Sequence, residues 1–216
     1  MRGAKGHAVG PLKEGSVGVL SDFDLAGLIN EYGCRFLIET GTGLGKSVDF
    51  AAQFKFDQIY SIEIMHALAL QAGLRFAKNP MITIIHGKSE RGLREVIDEI
   101  PHDASVIYWL DAHFPGADFR LASYRDEKNE FVRLPLEREL RLLAELRDIS
   151  RDIFLIDDLR IYEDGDFEEG PCPADHRPAP EYRHTRFVDE ILGRTHRFER
   201  SMRRTGYLCA YPVRRS

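Results

Sequence analysis

Five short apolar runs, rich in β-branched and aromatic residues, recur along the chain with a stretch of helical spacing after each. The runs are Arg35–Glu39, Gln58–Glu63, Ile82–Ile85, Val106–Leu110 and Ile153–Ile156. Their nearly continuous apolar character predicts strands buried on both faces. Between them, residues 45–55, 65–78, 89–99 and 135–149 read as helices; in the last, Leu136, Leu140, Leu143 and Leu146 recur at helical spacing beside Glu137, Arg138, Glu139 and Arg141. Such alternation requires right-handed crossovers and predicts an α/β fold with a doubly wound, mostly parallel sheet. Residues 184–194 read as one more helix. Arg197–Met202 and Tyr207–Tyr211 read as a closing strand pair around Thr205-Gly206, making seven strands with an antiparallel one at the C-terminal end.

Residues 1–34 read as an N-terminal lead-in, with a helix near 22–31 capped by Ser21 or Asp22, and residues 35–216 as a single domain. Two polar stretches, 114–133 and 163–183, follow strand ends. Open α/β sheets bind ligands there, so both are candidate lids or substrate-selecting loops. With 43% hydrophobic residues in 216, the chain can build a sizeable core. It lacks any run of about 18 apolar residues, the length of a membrane span, and the basic-then-apolar start of a signal peptide. Cys34, Cys172 and Cys209 are odd in number and form no CxxC pair, which argues against a disulfide scaffold or structural zinc and points to a reducing cytoplasm. Net charge is −5, yet residues 177–216 hold ten arginines against four acids, +6, leaving −11 for the rest. These arginines are spread out and lack interleaved aromatics, so they read as solvated surface or a seat for an anionic acceptor. Nucleic acid is the alternative.

The residues that carry most about ligand chemistry are Glu39-Thr40-Gly41-Thr42-Gly43-Leu44-Gly45-Lys46-Ser47, at the turn from the first strand into the first helix. Alternate glycines let a backbone turn sharply and approach a ligand closely. A phosphate-cradling P-loop needs glycine where Thr40 stands, so Gly45-Lys46-Ser47 is a decoy. The dinucleotide fingerprint needs glycine where Lys46 stands. What remains is an acid followed by GxGxG. About twenty residues on, Glu63 ends the second strand, where a carboxylate facing the glycine turn suits the cis-diol of a nucleoside, whether the chemistry is methyl transfer or dehydrogenation.

On these residues, and over roughly 35–212, the chain resembles class I S-adenosylmethionine-dependent methyltransferases of Rossmann-like fold. The resemblance implies a cofactor site built from Glu39, Thr40, Gly41, Thr42, Gly43 and Gly45, with Glu63 on the ribose hydroxyls and Ile64 against the adenine. Gly87, Lys88 and Ser89, at the third strand end, would contact the base, and Asp111, at the fourth, would complete the cofactor site and serve catalysis. Asp111 after the fourth strand and Asp157-Asp158 after the fifth place three carboxylates at adjacent sheet ends, a repulsion that a hard divalent cation offsets. This pattern is similar to the metal-dependent catechol and macrocin-type O-methyltransferases, which implies Mg2+ at Asp111, Asp157 and Asp158.

His113, two residues after Asp111 on an extended chain, is the expected general base. The sequence Asp111-Ala112-His113-Phe114 differs from the Asn/Asp-Pro-Pro-aromatic signature of amino methyltransferases, which argues against DNA-base methylation. The resemblance therefore implies metal-assisted O-methylation of a small hydroxylated acceptor, such as a sugar or polyketide-type glycoside, without membrane or nucleic acid, and it leaves a homodimer open. An RNA methyltransferase using the basic C-terminal segment, and a nucleoside-binding protein without transfer activity, are the alternatives.

Overall fold

In the computed structural model, which describes residues 19–213, successive side chains of the central strands alternate between the two faces of one seven-stranded sheet. The strands are β1 (Cys34–Thr40), β2 (Gln58–Glu63), β3 (Ile82–His86), β4 (Ser105–Leu110), β5 (Ile153–Ile156), β6 (His196–Ser201) and β7 (Tyr207–Pro212). Their order is β3-β2-β1-β4-β5-β7-β6. Neighbours among β1 to β5 pair in parallel, and β7 runs antiparallel between β5 and β6, as expected. The lead-in residues 1–18, and Arg214 and Arg215 of the basic segment, lie outside the described residues.

The helices are α1 (Leu25–Tyr32), α2 (Lys46–Ala51), α3 (His66–Phe76), α4 (Ser89–Ile97), α5 (Glu130–Arg133), α6 (Leu136–Leu146), α7 (Leu159–Tyr162) and α8 (Arg186–Leu192). Phe36, Ile38, Tyr108 and Phe154 face one core layer, built with Leu93 of α4, Leu140 and Leu143 of α6 and Leu192 of α8. Leu37, Ile107, Trp109 and Leu155 face the other, with Leu25 of α1, Val48 of α2 and Phe76 of α3. Each fully buried leucine contributes about 2 kcal/mol by leaving water. Leu20 and Leu25 belong to this second layer, so the described part of the lead-in packs directly on the sheet. Cys34, Cys172 and Cys209 are buried free thiols. Among the described residues, no helix is long and apolar enough to cross a membrane.

Local chemistry explains where element ends differ from expectation. Helix α1 starts at Leu25 because Asp24 caps it, accepting from the Gly27 N–H at 2.9 Å. Asp22, an expected cap, instead accepts from Arg204 Nε at 2.7 Å and the Tyr207 hydroxyl at 3.0 Å. Helix α6 stops at Leu146 because Arg147 turns inward. Its guanidinium donates to the Ala104 carbonyl at 2.6 Å and lies 3.4 Å from the buried Asp152 carboxylate, which accepts from the Val106 N–H at 3.0 Å.

The strand registers align the ligand-side ends. Thr40 sits opposite both Ile62 and Leu110, Glu63 opposite His86, and Leu110 opposite Ile156. The chain leaves β1 toward β2 and β3 and then returns to the other side of β1 as β4. This reversal opens a crevice beyond the β1 and β4 ends. The first insertion closes over it, and the second packs against the first. Residues 114–129 hold no regular element before α5, and the second insertion follows the short α7, which no apolar periodicity announces. They brace one another: Arg133 donates to the Tyr124 carbonyl at 3.0 Å and to the His176 carbonyl at 3.1 Å, and the Tyr124 and His176 rings stack at 3.5 Å.

Candidate active site

The glycine turn leaving β1 has Gly41, Gly43 and Gly45 at φ values of 89°, 51° and 72°. A Cβ at Gly41 would lie 2.6 Å from the Asp111 carbonyl oxygen, a backbone atom held in β4's exit. A Cβ at Gly43 would meet the tip of the Phe119 ring at 2.6 Å, and one at Gly45 the Phe76 ring at 2.8 Å. Backbone cannot yield as a ring can. Gly41→Ala is therefore expected to cost about 2–4 kcal/mol, from positive-φ strain plus overpacking, and Gly43→Ala markedly less. Urea midpoints of the two variants check the order; a Gly43→Ala cost equal to that of Gly41→Ala would refute it.

Glu63 ends β2 with both carboxylate oxygens on the turn. One accepts from the Gly43 N–H at 2.8 Å and the other from the Met65 N–H at 2.8 Å. Burial raises its pKa against the lowering effect of these backbone donors. Glu39 points inward. It accepts from the Ser47 and Ser61 hydroxyls, and Ser61 meets Thr42 at 2.6 Å. Burial, opposed by the hydroxyls and reinforced by the Glu63 charge, pushes Glu39 up to about 7.

A cavity of about 410 Å3 lies over this turn. Of the expected cofactor residues, Gly41, Thr42, Gly43, Glu63 and Ile64 line it on one side, and Gly87, Lys88, Ser89 and Asp111 on another. Glu39, Thr40 and Gly45 do not line it: they support the turn from within. The lining residues that the sequence did not single out include Asp118 and Phe119 of the first insertion and Arg204 of the β6–β7 hairpin. An aromatic beside an acid in an otherwise polar insertion was the available signal for the first two.

His113 brings the strand-end acids together. Its Nε2 lies 3.0 Å from Asp158 Oδ2 and 3.7 Å from Asp118 Oδ2, and its Nδ1 lies 3.6 Å from Asp111 Oδ1. Burial disfavours charge on the imidazole, but Asp158 and Asp118 outweigh it and raise His113 to about 9. Burial and the neighbouring carboxylates hold Asp111 and Asp157 above the usual range, whereas the His113 charge overcomes burial and holds Asp158 below it. Asp111, His113 and Asp158 could hold a metal ion, their ligand atoms lying within 4.8 Å of one another. Asp157 lies outside that donor set but borders it, one oxygen accepting from the Asp158 N–H at 2.7 Å and from Thr205 at 3.3 Å. Asp111 Oδ1 and Asp157 Oδ2 are buried without hydrogen-bond partners. Such orphaned oxygens fit a cation or a shared proton.

Beneath the cavity, α6 contributes Glu139, buried, with one oxygen accepting from Thr40 at 3.4 Å and the other unpartnered. Burial pushes its carboxyl up to about 7. A native carboxyl above its unfolded value of about 4.3 keeps a proton that the unfolded chain has lost, so stability falls as pH rises between the two values. Glu139→Gln, which cannot ionise, is expected to match the parent at pH 4 and exceed it at pH 8 by on the order of 2 kcal/mol. Urea midpoints at both pH values check this; equal midpoints at pH 8 would refute it.

Five of the eight described arginines of the basic segment are ion-paired: Arg183 with Asp164, Arg197 with Glu199, Arg200 with Glu163, and Arg203 and Arg204 with Asp22.

No family model matches the chain, and no curated protein matches it. Solved structures do. An O-methyltransferase from Streptomyces achromogenes, TomG, in complex with SAM, is 16% identical, with 87% of this chain and 77% of that one covered at a TM-score of 0.53. The SAH-bound methyltransferase PaMTH1 from Podospora anserina is 11% identical over 87% and 75%, also at 0.53. An O-methyltransferase from Bacillus cereus in complex with SAH is 12% identical over 86% and 77%, again at 0.53. At these identities the likeness is one of fold: the chain has the Rossmann-like fold of these methyltransferases.

Proposed function

We propose that the chain is an S-adenosylmethionine-dependent methyltransferase acting on a hydroxyl of a small acceptor, with a divalent cation, Mg2+, assisting. The observation that carries this reading is the pairing of the buried Glu63 carboxylate with the Gly43 N–H at the cavity wall, the join of an acid to a glycine turn that a nucleoside cofactor needs. Gly41 to Gly43 approach the cofactor, Glu63 takes the ribose hydroxyls, and Ile64 and Ser89 flank the base.

The orphaned oxygens of Asp111 and Asp157 and the Asp111, His113 and Asp158 donor set fit a hard divalent ion. Bound there, it supplies Lewis-acid polarisation of the acceptor hydroxyl. The chain's own residues do the rest. In the neutral imidazole, Asp158 Oδ2 holds the proton on His113 Nε2, and Nδ1 receives the proton that the acceptor hydroxyl gives up, which leaves the carboxylates of Asp111 and Asp158 to hold the ion. Phe114 and Phe119 wall the cavity from water, and in-line transfer then depends mainly on positioning.

Calorimetry with S-adenosylmethionine, NAD and ATP side by side tests the reading. S-adenosylmethionine should bind with a Kd on the order of micromolar, about −8 kcal/mol, and ATP should not bind. ATP binding that depends on Lys46 would overturn it.

A further inference from the structure

We propose that Asp118 couples closure of the first insertion to the divalent-cation site, so that the ion and the closed lid stabilise each other. This inference rests on the metal part of the function proposed above. The cation site has its own mark in the structure, apart from the clustering of acids. Asp111, with its side chain only 9% exposed, directs an oxygen without a hydrogen-bond partner into the cluster beside His113, and buried Asp157 leaves a second one unpartnered. A cation among these carboxylates would partner both atoms.

Asp118 differs from the other acids in its origin. Asp111, Asp157 and Asp158 stand immediately after β4 and β5, whereas Asp118 hangs from the insertion and is 25% exposed at the cavity edge. Its Oδ1 accepts from the Tyr124 hydroxyl at 2.6 Å, which leaves Oδ2 facing His113 at 3.7 Å. Tyr124 is in turn stacked on His176, so the second insertion backs the carboxylate through one rigid ring. Next to Asp118, the Phe119 ring rests on Gly43, and Phe114 and Arg120 hold positive φ without being glycine. Contacts around a loop must hold such backbone in place.

Electrostatics sets the direction of coupling. Without a cation, the lid carboxylate shares His113 with the Asp111 and Asp158 carboxylates and is retained by that imidazole and one phenol. With a divalent cation among them, the same carboxylate is attracted, and closure lowers the free energy of the bound state. By linkage, closing the lid must tighten the ion by the same factor.

Hydrogen exchange on the full chain, with and without magnesium chloride, tests this, with the melting temperature reporting ion binding on the same samples. At magnesium ten times its Kd, exchange in residues 114–129 should slow by up to about tenfold. In Asp118→Asn the melting temperature should still rise with magnesium while that slowing is lost, and Tyr124→Phe should weaken it. Magnesium that raises the melting temperature without slowing lid exchange, or slowing that survives in Asp118→Asn, would overturn the coupling and leave the metal site standing. Absence of any magnesium effect in the parent would overturn both. Calorimetry with S-adenosylmethionine on these samples reads the cofactor assignment independently.

Discussion

Glu63→Ala is expected to abolish measurable S-adenosylmethionine binding and to lower stability by about 2–6 kcal/mol. The carboxylate accepts from the Gly43 and Met65 N–H groups, in a residue 5% exposed. Truncation leaves two buried donors without partners, each costing about 1–3 kcal/mol. It also frees the glycine turn from the end of β2, so the wall that would meet the cofactor loses its shape along with its acceptor. Glu63→Gln keeps one acceptor oxygen and turns an amide toward the other N–H, so its loss should be smaller. Calorimetry and urea denaturation separate the two effects. Affinity within twofold of the parent in Glu63→Ala would remove Glu63 from the cofactor site.

Asp152→Ala should cost about 3–5 kcal/mol, the usual penalty for removing one partner of a buried ion pair. Asp152 is fully buried, takes the Val106 N–H and stands 3.4 Å from Arg147. Without it the Arg147 guanidinium keeps only the Ala104 carbonyl, a buried cation with no counter-charge. A fall in urea midpoint at constant m-value checks this. The site is far from the glycine turn along β1, so cofactor affinity should be retained. A cost under about 1 kcal/mol would mean that Arg147 finds water instead.

Strand content was legible because burial on both faces leaves a plain record: the apolar runs at Gln58–Glu63 and Ile153–Ile156 coincide with β2 and β5 residue for residue. Helix ends were less so, since they depend on side chains meeting distant partners, as Asp22 meets Arg204 and Arg147 meets Ala104. The site divides in the same way. Glu63, Asp111 and His113 were legible because each stands at or just beyond a strand end, where the fold dictates which way it faces. Glu39 was assigned to the cofactor because it opens the glycine motif, but its register opposite Ser61 turns it into a buried hydroxyl network. Ser47, the end of the Gly45-Lys46-Ser47 run, donates to that same carboxylate. Asp118 had only its neighbouring aromatic, Phe119, to announce it, and Glu139 had no local pattern at all. Their places follow from an irregular loop and from a helix crossing under β1, and both are decided by tertiary packing.

Because β7 lies between β5 and β6 and runs against β5, the hairpin before it lands at the ligand end of the sheet, where Thr205 meets Asp157 at 3.3 Å and Arg204 meets Asp22 at 2.7 Å. In a chain growing on the ribosome, the glycine turn, Glu63, His113 and Asp158 all emerge before these partners do. The nascent polypeptide thus carries every acid of the site for some forty-odd residues of synthesis with no Thr205 to hold Asp157 and no Arg204 to pin the 3₁₀ turn at Leu20–Asp22 over the crevice. Contacts spanning 182 positions also close late in folding, since distant segments must find one another first. The contacts that hold Asp157 and Asp22 at the cavity are therefore the last of its wall to become available.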